Sequence, residues 1–363
     1  MRVALLSSAN GWRGSGASYA KLARGLGERG HVAHLVTAVP RLTSRLAAMD
    51  LPVTEIHGRN TGPREVWALL RVLRQIRADA VVVDTPRDVR LAAYATLLHP
   101  ARIVYRYNLN YRRARTDLMD RAYLRRVTAC IYQSEFIQDD AIARVPWMRR
   151  IPAFRIPNGY DLERYAPRPD AGRTFRERYG IPGDTRMVLT TAKLTRNKGH
   201  EVAIAALGRV HASGTPLVYL VCGDGGREAE LRDLALSARL PAVFTGLLDW
   251  PEVVAALAAA DVVVHPSLNE IFPNAVGEAM ACGRAVVAAD AGGTAELLGR
   301  DGDTGVLVPP GDAAALATAV RELLGDPGRR GRVGLAARRR IEVEFPLSRM
   351  IDRYEAALLA VIE

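Results

Sequence analysis

Short apolar runs alternate along the whole chain with segments whose apolar positions recur at helical spacing, the pattern of parallel, doubly wound sheets. In the first half the strand-like runs are VALLSS (3–8), VAHLVT (32–37), AVVVD (80–84), RIVYRY (102–107) and ACIYQS (129–134). In the second half they are RMVLTTA (186–192), LVYLVCG (217–223), AVFTG (242–246), DVVVHP (261–266), AVVAAD (285–290) and GVLVP (305–309). The clearest helical periods cover 17–29, 64–77, 200–212 and 312–324. Two such sets predict an α/β protein of two Rossmann-like domains. The border is expected in the Pro- and Gly-marked stretch IPAFRIPNGYDLERYAPRPDAG (151–172), giving domains over 1–165 and 166–346. The amphipathic segment 347–363 follows Pro346 and is expected to pack back on the first domain. Ligand in such folds binds where the carboxyl ends of the strands open.

Composition narrows the class. At 363 residues the chain has room for about two domains, and 49% apolar with 25% charged residues suits a globular protein. No apolar stretch approaches the roughly 20 residues of a membrane span. VALLSSA turns polar too soon for a signal peptide, so the expected location is the cytoplasm, with the inner membrane face as a second place. Cys130, Cys222 and Cys282 lack metal-site spacing and are expected to be buried thiols. The seven histidines form no metal-binding cluster, so no metal is expected.

A net charge of +11 and a pI near 9.9 point to anionic partners: nucleotides, phosphorylated acceptors or an acidic membrane surface. Nucleic acid is disfavoured, because no zinc-finger, helix-turn-helix or RNP-like signature appears and few aromatics interleave with the basic residues. The basic amphipathic stretches 64–77 and 111–127 suit peripheral contact with anionic lipid. A plainer reading puts Leu69, Leu70, Leu73 and Ile76 in the core and the arginines in water.

Two motifs carry the candidate chemistry. NEIFPNAVGEAMACG (269–283) holds Glu270 and Glu278 on either side of a helix start at Pro273, ahead of a buried strand. Carboxylates so placed, with helix-start amides between them, suit a ligand that carries both hydroxyls and phosphate, as sugar nucleotides do. AKLTRNKGH (192–200) follows the first strand of the second domain, so Lys193 and Lys198 reach the carboxyl edge, where two cations can neutralise a diphosphate. In the first domain Gly14 and Gly16 lie between the first strand and its helix, where glycine lets backbone approach a phosphate. The dinucleotide spacing GxGxxG is not matched there. His265 at a strand end is expected to be a core-edge histidine, and Asp301-Gly302-Asp303 is expected to be a turn rather than a metal-binding DxD.

AKLTRNKG, the Glu270–Glu278 pair with EAMACGRAVVA, AGGTAELL, DGDTGVLVPPGD and IPNGYD (156–161) together resemble the retaining glycosyltransferases of family 4. The resemblance is dense from residue 156 to about 325 and thinner before it. It implies a GT-B fold, two facing Rossmann-like domains with the site between them. It also implies transfer of a hexose-type sugar from a nucleoside diphosphate sugar, UDP-linked in the commonest case, to a hydroxyl acceptor, with no cofactor and no metal. Lys193, Lys198 and Glu270 are then the expected catalytic residues. Glu278 is expected to hold the ribose hydroxyls, and Phe272, Asn274, Ala275, Gly14 and Gly16 to meet the sugar and phosphates.

Two departures stand out. Lys193 replaces the family's more usual arginine, which keeps the charge and loses the two-pronged fork. Asn108 stands where the family has a histidine; asparagine cannot act as a base near neutral pH. Arg106, Asn108 and Asn110 are the acceptor-site candidates. These departures also admit an alternative, a catalytically silent relative that binds sugar nucleotides or a partner protein. The base, the sugar, the acceptor and the oligomeric state are not legible.

Overall fold

A computed structural model describes residues 1–8, 16–56, 61–107 and 122–363. By contacts the chain divides into two units, Met1–Gly159 with Ser348–Glu363, and Tyr160–Leu347. The division falls after Gly159, inside IPNGYD and ahead of the expected border at 165. The displacement has a physical reason, since Tyr160 and Tyr165 are buried among the apolar side chains of the second unit.

The first unit carries β1 (Arg2–Ser7), β2 (Val32–Thr37), β3 (Val53–Glu55), β4 (Ala80–Val83), β5 (Arg102–Tyr107), β6 (Val127–Tyr132) and β7 (Ala153–Arg155). They form one parallel sheet in the order β3-β2-β1-β4-β5-β6-β7. The middle strands are apolar on both faces, as a parallel sheet covered by helices on both sides requires. The edge strands β3 and β7 were not predicted. Each is three residues long and partly exposed, so neither leaves an apolar run. The helix Leu347–Ile362 packs on this unit through Met350, Ile351, Tyr354, Ala357, Leu358 and Val361. Glu355 fastens it by accepting from Arg29 at 2.5 Å and from His31 at 2.6 Å.

The second unit carries β8 (Arg186–Thr191), β9 (Leu217–Cys222), β10 (Ala242–Gly246), β11 (Val262–His265), β12 (Ala285–Ala289) and β13 (Val306–Val308). Its sheet is also parallel, in the order β10-β9-β8-β11-β12-β13. Helices Ala17–Glu28, Pro63–Ile76, His200–Ala212 and Ala313–Gly325 stand within a residue of the predicted periods. The three cysteines are buried free thiols. Among the described residues no helix is long and apolar enough to cross a membrane.

Candidate functional site

The strand order of the second sheet reverses once, between β8 and β11. Loops leaving the carboxyl ends of those strands diverge, and ligands of doubly wound sheets bind at such a switch point. From β8 runs the turn 192–199; from β11 runs the loop that leads into the helix Asn274–Ala281. Both sequence motifs therefore meet at one place.

Backbone contacts lace the two loops together. Gly199 has φ +65°, and a Cβ built on it would overlap the carbonyl oxygen of Pro266. Ser267 Oγ and the Leu268 amide both donate to the Asn197 carbonyl, at 3.0 and 2.8 Å. This close approach brings Lys198 Nζ to 2.6 Å from Glu270 Oε1. His265, the last residue of β11, donates from Nε2 to the same oxygen at 2.8 Å. Burial alone would raise the Glu270 pKa; His265 and Lys198 outweigh it and hold the carboxyl down at about 2. Glu270 is consequently an anion at neutral pH, with one oxygen engaged by two donors.

Lys193 is exposed beside this cluster. Its carbonyl is pinned by the Thr195 amide at 2.9 Å and by His200 Nε2 at 3.1 Å. His200 is buried, which lowers its pKa and keeps the ring neutral. Its other nitrogen lies 3.4 Å from the Tyr219 hydroxyl, which donates to Thr190 Oγ1 at 2.9 Å. Gly223 adds a second close approach, because a Cβ there would overlap the Ala192 carbonyl.

Glu278 stands in the second turn of the Asn274–Ala281 helix and accepts from the Tyr165 hydroxyl at 2.9 Å. The Tyr160 ring lies against Gly277 so closely that any side chain there would overlap it. IPNGYD thus ends by packing an aromatic ring onto the helix that carries Glu278. Pro273 occupies the cap rather than the first turn. Its φ and ψ are −76° and 104°, and its carbonyl accepts from Val276 and Gly277. The Phe272 side chain is core, 5.7 Å between ring centres from Phe345. Asn274 and Ala275 open the helix, where the first amides have no partner within the helix itself. The AGGTAELL stretch closes on the same loop, with the Gly293 amide 3.4 Å from the Glu270 carbonyl.

The first sheet reverses its order between β1 and β4. There Asp84 and Asp88 are buried; Ser7 Oγ donates to Asp84 at 3.1 Å, and Thr85 Oγ1 and the Ser8 amide donate to Asp88 at 2.7 and 3.1 Å. Burial and the Asp84 charge push the Asp88 pKa up to about 7. Arg106 is only 2% exposed. It donates to Ser18 Oγ at 2.9 Å and Asn158 Oδ1 at 3.4 Å, and lies over the Tyr19 ring. Both of these bonds use Nη2, while Nε and Nη1 are buried without a hydrogen bond among the described residues. Gly16 precedes the helix Ala17–Glu28 with φ −59°, a conformation open to any residue, so no left-handed turn demands glycine there. Gly14, Asn108 and Asn110 lie outside the described residues.

Asp301-Gly302-Asp303 forms a turn closed by the Asp303 amide on Asp301 Oδ1 at 3.1 Å. No cluster of three or more His, Cys, Asp or Glu side chains suited to a metal occurs among the described residues. The sequence reading took His265 as a core-edge histidine without its bond to Glu270, and missed His200. The signal for both was present in polar residues ending a buried strand (HPS) and closing the lysine turn (KGH), where a side chain must bond to something local.

Comparison with known proteins bears on the whole chain. Residues 12–164 match a family model described as Glycosyltransferase Family 4, and residues 172–340 match Glycosyl transferases group 1. A GDP-mannose-dependent monoacylated alpha-(1-6)-phosphatidylinositol monomannoside mannosyltransferase of Corynebacterium glutamicum is 31% identical over 206 residues, 54% of each chain. A 2-deoxystreptamine glucosyltransferase of Streptomyces kanamyceticus is 30% identical over 175 residues, 47% of this chain and 45% of that one. The chain spans about half the length of the curated relatives it matches. Among solved structures, Anabaena HepE in complex with UDP superposes with a TM-score of 0.88 at 21% identity, covering 99% of this chain and 100% of the other. That likeness is one of fold.

Proposed function

Because the chain belongs to the group 1, family 4 glycosyltransferases, we propose that it moves a hexose-type sugar from a nucleoside diphosphate sugar to a hydroxyl acceptor, with retention and without a metal. The observation that carries this reading is the bond of Lys198 to Glu270 at the switch point of the second sheet, on the loop that leads into the helix of Glu278. An ammonium has three donors, and Lys198 spends one on Glu270, so two remain for a diphosphate. Lys193 supplies a second positive charge, and the two together stabilise the diphosphate as it leaves, the task a metal performs elsewhere. The bonds from Lys198 and His265 both use Oε1 of Glu270, which leaves Oε2 to accept from a sugar hydroxyl. Glu278, oriented by Tyr165, accepts from the ribose diol. The opening amides of the Asn274–Ala281 helix, where the dipole favours anions, face the phosphates in this reading.

Asn108 cannot take the acceptor's proton, so the departing phosphate oxygen accepts it, on the same face from which the new bond forms. In that step the sugar–phosphate bond breaks, the acceptor oxygen bonds to the anomeric carbon, and the proton leaves with the diphosphate.

UDP-sugars are the first donors to try. A GDP-hexose is the second reading, favoured by the match to GDP-mannose-dependent enzymes. Transfer assays over both donor classes, with excess chelator and with the product's anomeric configuration read by NMR, test the proposal. Retained configuration and undiminished activity in chelator are expected. Inverted product or chelator-abolished turnover overturns those two points. Donor binding without transfer to any acceptor supports the silent relative instead.

A further inference from the structure

The helix His200–Ala212 packs through Ala203, Ile204 and Leu207 into the apolar cluster of Val188, Val221 and Val264. Tyr219 belongs to that cluster, and its hydroxyl meets Thr190 and His200; all three residues are 0% exposed. Packing alone does not ask for these polar atoms. Phenylalanine at 219 and valine at 190 would fill the same space with no hydroxyl to satisfy, and burying a hydroxyl costs free energy unless it is bonded. What the three side chains hold in place is therefore the question.

Their bonds run along one line. Tyr219 pairs across the sheet with Val188, and its hydroxyl reaches further along β8 to donate to Thr190 Oγ1 at 2.9 Å. Thr190 Oγ1 donates in turn to the Val264 carbonyl of β11 at 3.0 Å. On its other side the Tyr219 hydroxyl lies 3.4 Å from Nδ1 of His200, whose Nε2 is 3.1 Å from the Lys193 carbonyl. Burial keeps the His200 ring neutral, so its one proton sits on Nε2, the nitrogen that faces a pure acceptor. One end of the line is thus the backbone of Lys193. The other is the peptide that joins Val264 to His265, and His265 donates to Glu270. A buried chain whose members are bonded in this way stiffens what it connects.

On either side of exposed Lys193 the backbone is held by neighbouring loops: the Ala192 amide donates to the Cys222 carbonyl at 3.1 Å and the Leu194 amide to the Asp224 carbonyl at 2.9 Å. The Lys193 carbonyl has two donors. The Thr195 amide moves with the turn, whereas His200 belongs to the core. Fixing that carbonyl fixes the peptide plane after Lys193, and with it the direction in which the side chain leaves the backbone. We propose that His200 is a positioning residue that sets the Lys193 turn for a ligand's diphosphate, braced through Tyr219 and Thr190 against the strand that ends at His265. The inference rests on the reading of this site as one for a nucleoside diphosphate sugar.

A double-mutant cycle, read by isothermal titration of UDP-glucose and GDP-mannose into the full chain, tests it. For whichever donor binds wild type, Lys193→Met is expected to weaken binding about ten-fold, and His200→Leu about five-fold. His200→Gln keeps an N–H where Nε2 stands and is expected to bind within about two-fold of wild type. Added to Lys193→Met, His200→Leu is expected to change affinity by less than about two-fold, because it acts through the lysine. Tyr219→Phe keeps the ring, removes the brace and is expected to weaken binding about three-fold. Circular dichroism melting establishes that each variant is folded; if His200→Leu is not, Tyr219→Phe takes its place in the cycle. Wild-type affinity in the folded variant that carries the cycle overturns the proposal. So does an equal loss in the Lys193→Met background, which marks a general packing role, or a glutamine variant as weak as the leucine one. Binding of neither donor by wild type overturns the donor reading itself, and this inference with it.

Discussion

Both parallel sheets reverse their strand order once, between β1 and β4 in the first unit and between β8 and β11 in the second, yet the charged groups gathered at the two places behave in opposite ways. In the second unit, Lys198 and Glu270 are partly open to solvent, at 22% and 11% exposure, and a third group, His265, holds the carboxylate from below. In the first unit, Asp84, Asp88 and Arg106 are all buried, and they bond to residues of their own unit. One topology has produced a cluster partly open to solvent and another whose charged groups are buried. What separates them is the pattern of close backbone approach. Gly199 and Gly223 let neighbouring loops press together and hold Lys198 at the lip. The difference teaches that the switch point supplies only a place; the residues that close on it decide how far its charges stay open to solvent.

Substitutions at the two places should separate function from stability. The largest effect is expected for Lys198→Ala. Losing a donor aimed at developing charge costs on the order of 10²- to 10³-fold in turnover. Stability should fall by about 1–2 kcal/mol, because the largely buried carboxylate loses one of its two donors and keeps His265. Steady-state kinetics and urea unfolding check the two halves of that statement. Arg106→Met should show the reverse weighting. It removes the donor to Asn158 and the buried cation whose charge acts on Asp84, and should cost about 3 kcal/mol of unfolding free energy, measured by urea titration.

Gly199→Ala sharpens the role of the lacing. A Cβ there meets the Pro266 carbonyl and the residue has φ +65°, so about 2 kcal/mol of stability should go, together with much of the turnover. If turnover falls and Gly277→Ala, which displaces Tyr160 instead, leaves more of it, the lysine turn is the feature that matters. Equal losses would place the requirement in general packing.

The smallest effect is a contrast in pH dependence. Glu270 has a folded pKa near 2, depressed from 4.5. Its contribution is present above about pH 4.5 and is lost as pH falls toward 2. Asp88 has a folded pKa near 7, raised from 3.8. Its contribution is complete below about pH 3.8 and is lost as pH rises through 7. Glu270→Gln should therefore flatten the acid limb of a stability profile, and Asp88→Asn the limb between pH 4 and 7. Thermal melts from about pH 2 to pH 7 read both.

Much of the fold was legible because parallel strands buried on both faces leave apolar runs that no loop mimics. The exceptions are physical as well. Val53–Glu55 and Ala153–Arg155 are short edge strands with one side in solvent, so burial imposed no pattern on them. At the site, the lysines and glutamates were readable as charges that a buried strand end has no other use for. Tyr165 on Glu278, His265 on Glu270 and the overlap of Gly199 with Pro266 join residues 5 to 113 positions apart, and sequence spacing does not encode such contacts. Arg106 was legible as a charge but not as a buried one, because its contacts Ser18, Tyr19 and Asn158 are distant in sequence.

The central claim is that the open cluster of the second unit holds a nucleoside diphosphate sugar through Lys198 and Glu278. Isothermal titration of UDP-glucose and GDP-mannose into wild type, Lys198→Met and Glu278→Gln measures it without any acceptor. Whichever donor binds wild type should bind each variant at least about ten-fold more weakly, a loss of about 1.4 kcal/mol. Wild-type affinity in both folded variants would contradict the account.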